Sequence, residues 1–262
     1  PRDLRRHDVG RVGRGQVRTP QAAAVERHPH LAEPRRPGHV RIDMHTHTMF
    51  SGDSTTTLDE IVESVAEAGI DVLCVTDHNA LEGAVRLRTI LESEGICRVV
   101  AGEEVKTHTG EVIGLFLTER IPFGETAART CAIIREQGGL VYVPHPFDPM
   151  RRNITENSLD EITALGLVDA IEVHNSKTSL QSLNAKAKQY AAHRGIAMGS
   201  GSDAHVPHAL GSAYVEMPDF DGPQDFLEKL REGRIVGHHW DKARPWTPRI
   251  VPSVSNDSIS PS

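Results

Sequence analysis

The feature that most limits what this chain can fold into is an alternation of short apolar runs with helix-like stretches. The runs are Val40–Met44, Val72–Val75, Val99–Val105, Val112–Leu117, Leu140–Val143, Ala170–Val173, Ile196–Met198 and Ala213–Met217. Helical patterns stand between them. Thr57 is placed to cap the first, with Glu60 three residues on, an apolar stripe through Ile61, Val62, Val65 and Ala68, and Gly69 as the stop. Further helices are expected over Leu81–Ser93, Glu125–Gln137, Leu159–Leu165, Leu180–Arg194 and Pro223–Glu232. Strands alternating with helices through short loops mean an α/β fold with a parallel sheet, open or closed into a barrel. The exception is Val99–Val105 followed by Val112–Leu117, whose link is too short for a helix and contains Gly110, so that pair reads as a hairpin.

Nearly every apolar run ends in His, Asp or Glu. The first delivers Asp43, His45 and His47, which share one face of an extended strand. The others end in Thr76-Asp77-His78, Glu103-Glu104, Pro144-His145-Pro146, Glu172-Val173-His174-Asn175 and Ser202-Asp203-Ala204-His205, while the hairpin return opens on Glu111. In parallel α/β folds the carboxyl ends of the strands gather on one face, and sites are built there. A lone His-x-His carries little weight: His28 and His30 form one in an Arg-rich segment with no apolar pattern. The placement at strand ends is what matters. Imidazoles and carboxylates concentrated there would repel and desolvate one another unless cations bridged them. Such a donor set without cysteine points to two or three divalent ions, Zn, Mn or Fe, rather than a structural thiolate site.

Composition narrows the setting. The chain has 262 residues, 15 of them His, and a net charge of −7. The charge is uneven: residues 1–41 hold ten Arg against four acids, a balance of +6, so the remainder stands at −13. These totals argue against a strongly cationic binder of nucleic-acid backbone. Residues 1–40 are expected to form a disordered Arg/Pro/Gly-rich arm, residues 41–238 a catalytic barrel, and residues 239–262 a tail. Nothing approaches the roughly 18 apolar residues of a membrane helix. Cys74, Cys97 and Cys131 form no CxxC pair, read as reduced and buried, and favour a cytoplasmic setting.

In order and spacing, Asp43-Met44-His45-Thr46-His47 with Ser51 and Asp53, then Thr76-Asp77-His78, Gly102-Glu103-Glu104, Pro144-His145-Pro146 and Ser202-Asp203-Ala204-His205, resemble the polymerase and histidinol phosphatase (PHP) superfamily over residues 41–235. The resemblance implies a distorted (β/α)7 TIM-like barrel with a metal cluster at the strand carboxyl ends, and phosphoester hydrolysis. It implies that His45, His47, Glu104 and Asp203 hold a first ion. Glu104, favoured over Glu103 by its spacing from Gly102, bridges to a second, which His145 also binds. Asp53, His78 and His205 hold a third. Glu111 stands where the family often has His, and a carboxylate there can still ligate.

A water held by Glu104 between two such ions loses its proton near neutral pH and attacks phosphorus in line. Arg151, Arg152 and Lys177 are the candidate phosphate clamps, and His174 is expected beside the cluster, facing substrate, supporting a ligand or simply packed. The expected partner is a small phosphorylated molecule or a short oligonucleotide end. No basic stripe with interleaved aromatics suggests a long nucleic-acid channel. Two other classes stay in view. One is an amidohydrolase-type C–N hydrolase, which commonly uses a modified Lys at a central strand end, a position none of the six Lys occupies. The other is a non-catalytic, metal-stabilised binding module.

Overall fold

The computed structural model describes residues 33–240. Expectations for residues 1–32 and 241–262 lie outside that range. Within it, nine strands and six α-helices follow one another as β1 (His39–Thr46), α1 (Leu58–Ala68), β2 (Val72–Val75), α2 (Glu82–Ser93), β3 (Arg98–Thr107), β4 (Gly110–Leu115), α3 (Ala127–Glu136), β5 (Leu140–Val143), α4 (Glu156–Ala164), β6 (Ala170–Asn175), α5 (Gln181–Arg194), β7 (Ala197–Gly201), β8 (Ala213–Pro218), α6 (Gly222–Leu230) and β9 (Arg234–Gly237). A single 3-10 turn, Pro207–Ala209, lies between β7 and β8. Among the described residues no helix is long and apolar enough to cross a membrane.

The strands form one sheet in the order β7-β6-β5-β4-β3-β2-β1-β8-β9. It curls into a nearly closed barrel. The neighbours β1–β2, β2–β3, β5–β6 and β6–β7 are parallel. The expected hairpin is present as antiparallel β3–β4, with Glu104 opposite Ile113 and Lys106 opposite Glu111. The count differs from seven regular strand–helix units. Strand β4 is reversed against both neighbours, β8 is reversed against β1 and β9, and β9 lacks the strong apolar run that marks the other strands.

Side-chain alternation sorts the core into two shells. Val40, Ile42, Met44, Val72, Cys74, Ile113, Tyr142 and Val215 fill the barrel interior. Leu73, Val75, Val99, Ala101, Val141 and Val143 face outward, under Ile61, Val65, Leu87, Leu91 and Ile134 of the helices. This two-sided burial is why the strands read as continuous apolar runs rather than as alternating ones. Cys74, Cys97 and Cys131 are buried and unpaired. Helix α1 starts and stops as its sequence dictates: Thr57 and Glu60 form a reciprocal capping box, and Gly69 ends the helix in the left-handed region at φ 61°.

The edge strand β7 closes onto the end of β1. Asp203 N–H donates to His45 O at 2.7 Å and His47 N–H donates to Ala204 O at 3.0 Å. The approach requires glycine: a Cβ at Gly201 would lie 2.4 Å from His45 Cβ and 2.7 Å from His45 N. Inserting a methyl group into so close a contact forces the backbones apart, at a cost of roughly 1–3 kcal/mol. Gly201→Ala is therefore expected to lower the thermal midpoint by several degrees and to weaken metal retention. A variant with unchanged melting and metal content would show that the two strands can separate freely.

Candidate metal centre

The closed end of the barrel brings His45, His47, Asp53, His78, Glu104, Glu111, His145, Asp203 and His205 together. Glu104 lies at the middle, 1% exposed. Its Oε2 is 3.3 Å from both His45 Nε2 and His47 Nε2 and 3.2 Å from His78 Nδ1, and its Oε1 is 3.1 Å from His145 Nε2. Asp203 adds Oδ1 at 3.5 Å from His47 Nε2 and 3.3 Å from His205 Nδ1. Asp53 Oδ2 lies 3.2 Å from His205 Nε2 and 3.6 Å from His78 Nε2. Glu111, buried, points Oε1 at His78 Nδ1 from 3.6 Å and makes no hydrogen bond through that atom. Glu103 faces the other way and accepts Ile121 N–H at 3.0 Å.

The hydrogen bonds behind the cluster decide which nitrogens face it. His45 Nδ1 sits 3.1 Å from Glu172 Oε1, a carboxylate that can only accept, so Nδ1 carries a proton and Nε2 is the nitrogen turned inward toward Glu104. Ser51 does the same for His47 by a relay. Its hydroxyl donates to Asp77 Oδ1 at 2.9 Å and accepts His78 N–H at 3.0 Å, leaving its oxygen to accept His47 Nδ1–H at 2.8 Å. The two Nε2 atoms then face each other across 3.0 Å, beside Glu104. Two ring nitrogens that close must share a proton or a cation, and the donors converge in four groups that could hold an ion: His45, His47 and Glu104; His45, His145 and Asp203; His78, Glu104 and Glu111; His47, His78 and His205. Imidazole and carboxylate donors of this kind fit divalent ions.

Two residues of the cluster have left-handed backbones although neither is glycine, His145 at φ 26° and Asp203 at φ 51°. Such conformations store strain and mark functional positions. Of the clamp candidates, Arg151 and Arg152 line the cavity above the cluster. Arg151 is ion-paired to Asp203 Oδ2 at 3.1 Å, and Lys177 Nζ donates to Asp203 O at 2.8 Å and lies 3.0 Å from His205 Nδ1. His174 lies elsewhere, packed where β9 passes: a Cβ on Gly237 would be 2.8 Å from its Nε2. Sequence alone assigns Glu172, Asp43 and Asp77 no role. The clue available in sequence was their position at or beside the same strand ends. Asp43 accepts Ser202 N–H at 2.9 Å and Gly211 N–H at 3.0 Å, tying the segment after β7 to β1.

A family model described as PHP-associated matches residues 181–235, from α5 to β9. An uncharacterized protein of Methanocaldococcus jannaschii is 36% identical over 201 residues, covering 73% of this chain and 79% of its own length. The chain belongs to the PHP superfamily. A probable phosphatase of Vibrio campbellii is 25% identical over 66% of this chain and 80% of its own. A two-domain protein from Bacteroides vulgatus, solved by crystallography and containing a predicted PHP-like metal-dependent phosphoesterase, superposes with a TM-score of 0.63. That match has 18% identity and covers 78% of this chain and 67% of the other.

The electrostatics of the cluster are those of imidazoles and carboxylates packed against one another. Burial by itself would lower the histidines. For His45 the carboxylates of Glu172, Glu104 and Asp203 outweigh burial and raise it well above the ordinary value. For His78, Glu104 and Asp53 do the same and bring it to about 9. Burial, reinforced by the nearby Glu104 charge, lifts Glu111 to about 7. Glu104 is held well below the usual range, because His45 and His78 outweigh its burial.

Stripped of metal by a chelator, the protein is thus expected to bind protons at pH 7 that an ion must displace. Calorimetric titration with Mn2+ or Zn2+ in buffers of different ionisation enthalpy should show net proton release, and affinity should rise from pH 6 to 9. The raised groups set the sign for the stripped fold. A proton held more tightly in the native state stabilises it below the unfolded pKa, near 4.5 for Glu and 6.5 for His. That stability is lost as pH rises through about 7 for Glu111 and about 9 for His78. Melting of the stripped protein should therefore fall between pH 6 and 9. Proton-neutral metal binding would contradict the assignment of these residues as ligands.

Proposed function

We propose that this chain is a metal-dependent phosphoesterase that hydrolyses a small phosphorylated substrate, or a phosphate at an oligonucleotide end, by attack of water. The observation that carries this reading is the Glu104 carboxylate with four imidazole nitrogens within 3.3 Å of it. It lies beneath a cavity of about 660 Å³ whose lining includes Lys106, Arg151 and Arg152. When bound, divalent ions would supply a Lewis-acid charge for phosphoryl oxygens and lower the pKa of water.

The chain's own residues do the rest. Glu104 can orient water and accept its hydrogen bond. Arg151 is held over the cluster by Asp203, with its guanidinium at the cavity, where a planar fork suits phosphate oxygens. Lys106 and Arg152 form no ion pair among the described residues and can meet the remaining phosphate charge. Phe50, Phe123 and the exposed Met150 line the same cavity and offer apolar surface for the group that carries the phosphate. The cavity holds a compact substrate rather than a long strand.

The test is turnover of an aryl phosphate and of nucleotide phosphates in the presence of Mn2+ or Zn2+. His45→Ala and Asp203→Ala are each expected to lower kcat/KM more than about a hundredfold, beyond what loss of an outer partner of a ligand costs. Arg152→Ala should raise KM roughly tenfold with little change in kcat, the signature of a lost charge-assisted contact made in ground and transition states alike. Unchanged turnover in the His45 and Asp203 variants would overturn the reading.

A further inference from the structure

Glu172 lies within β6, behind the cluster, and is 1% exposed. Its Oε1 accepts His45 Nδ1–H at 3.1 Å, from β1. Its Oε2 accepts His145 N–H at 2.8 Å, from the loop after β5, and the Asn175 side-chain amide at 3.0 Å. The same amide nitrogen of Asn175 lies 3.4 Å from Asp203 Oδ2. Glu172 thus stands directly behind His45, His145 and Asp203, which form one of the converging ligand groups. It touches the first through a ring nitrogen, the second through its backbone amide and the third through one intervening side chain. Two of these three residues have the left-handed backbones of the site.

Both Glu172 oxygens are consumed by donors, and the carboxylate lies on the Nδ1 side of His45, opposite the Nε2 that faces Glu104. It is therefore outside the ligand set. We infer that Glu172 is a positioning residue of the metal centre, holding His45 in the tautomer that presents Nε2 and pinning the backbone of His145, so that two ligands from different strands are set by one carboxylate. This rests on the reading of the cluster as a metal centre.

The amide of Glu172→Gln separates that role from bulk packing. It has nearly the same shape but one acceptor oxygen for three donors. Its NH2 must then oppose the His145 N–H or donate to His45 Nδ1. The latter moves the ring proton to Nε2 and blocks ligation. The expected result is a 10–100-fold rise in the Kd for Mn2+ or Zn2+ measured by chelator competition, the range seen when such outer partners are removed. The circular dichroism spectrum should be unchanged, KM should stay near the wild-type value, and kcat should recover as metal is added.

A second measurement needs no variant. In the zinc-loaded wild-type protein, nitrogen-15 spectra of the imidazoles should show His45 protonated at Nδ1 and metal-bound at Nε2. Either His45 protonated at Nε2, or a Glu172→Gln protein with wild-type Kd, overturns the inference while leaving the metal centre standing. If Glu172→Gln fails to fold, the wild-type spectrum still decides. A wild-type chain that binds neither ion removes the metal centre and this inference with it.

Discussion

The structure depends on the contact between the ends of β1 and β7. Without it the sheet is an open ribbon, with β7 at one edge and the β8–β9 pair at the other. With it, the two backbone bonds of Asp203 and Ala204 to the ends of β1 set His45, His47, Asp203 and His205 side by side. Gly201 makes the approach possible, because no side chain fits between it and His45. Closure and site assembly are the same event. The backbone atoms that close the barrel belong to residues whose side chains face the cluster, so a disturbance of the barrel is also a disturbance of the ligands.

The carboxylates around the cluster divide into two sets by position. Asp53, Glu104, Glu111 and Asp203 face the cluster. Asp43, Asp77 and Glu172 stand behind it and are occupied by backbone amides, hydroxyls and ring N–H groups. The second set gives the first its direction. An imidazole offers a lone pair at one nitrogen only when the other is protonated and held, and Glu172 and the Asp77–Ser51 pair do this for His45 and His47. The consequences differ in kind. Removing a facing carboxylate removes charge from the centre, whereas removing one behind it leaves the donors in place and lets them turn.

Much of this was legible in the sequence because two-sided burial writes strands as apolar runs. Strands β2 and β5 fall where their runs predict, and the α1 boundaries follow from Thr57, Glu60 and Gly69. The misses have local reasons. Helix α4 begins three residues before its apolar stripe, because Thr155 caps it through Ser158 N–H and the first turn is polar. Strand β9 carries half-exposed Arg234, Ile235 and Val236, which make no run of the strong kind, and its place is fixed only by pairing with β8. The residues gathered at the cluster were visible because they follow strands, whatever their final contacts. The holding residues were not distinguishable from them: Asp43 and His45, or Glu172 and His174, sit at the same period in sequence. Which of such a pair faces the cluster depends on the barrel's closure and on the register shift between Glu172 and His174. Neither can be read from a single strand.

That closed geometry has an electrostatic corollary. Glu104, Glu111 and Asp203, buried together at the end of a barrel, would be costly if left to themselves, since burying unpaired charge outweighs most single gains in folding. Arg151 pairs with the Asp203 carboxylate, and Lys177 donates to the Asp203 carbonyl. The remaining negative charge draws protons onto the imidazoles, which is why His45, His78 and His145 are raised despite burial that pushes the other way. Protons and divalent cations therefore compete for the same lone pairs in the same field. The −13 of residues 42–262 is then a formal count only. Part of it is concentrated in one cluster where a substrate phosphate, itself anionic, would be repelled unless cations were already there. The charge that makes the centre a poor site for phosphate by itself is the charge that makes it a strong site for metal. On the proposed reading, ions bound at the cluster would offset the charge that otherwise repels a substrate phosphate.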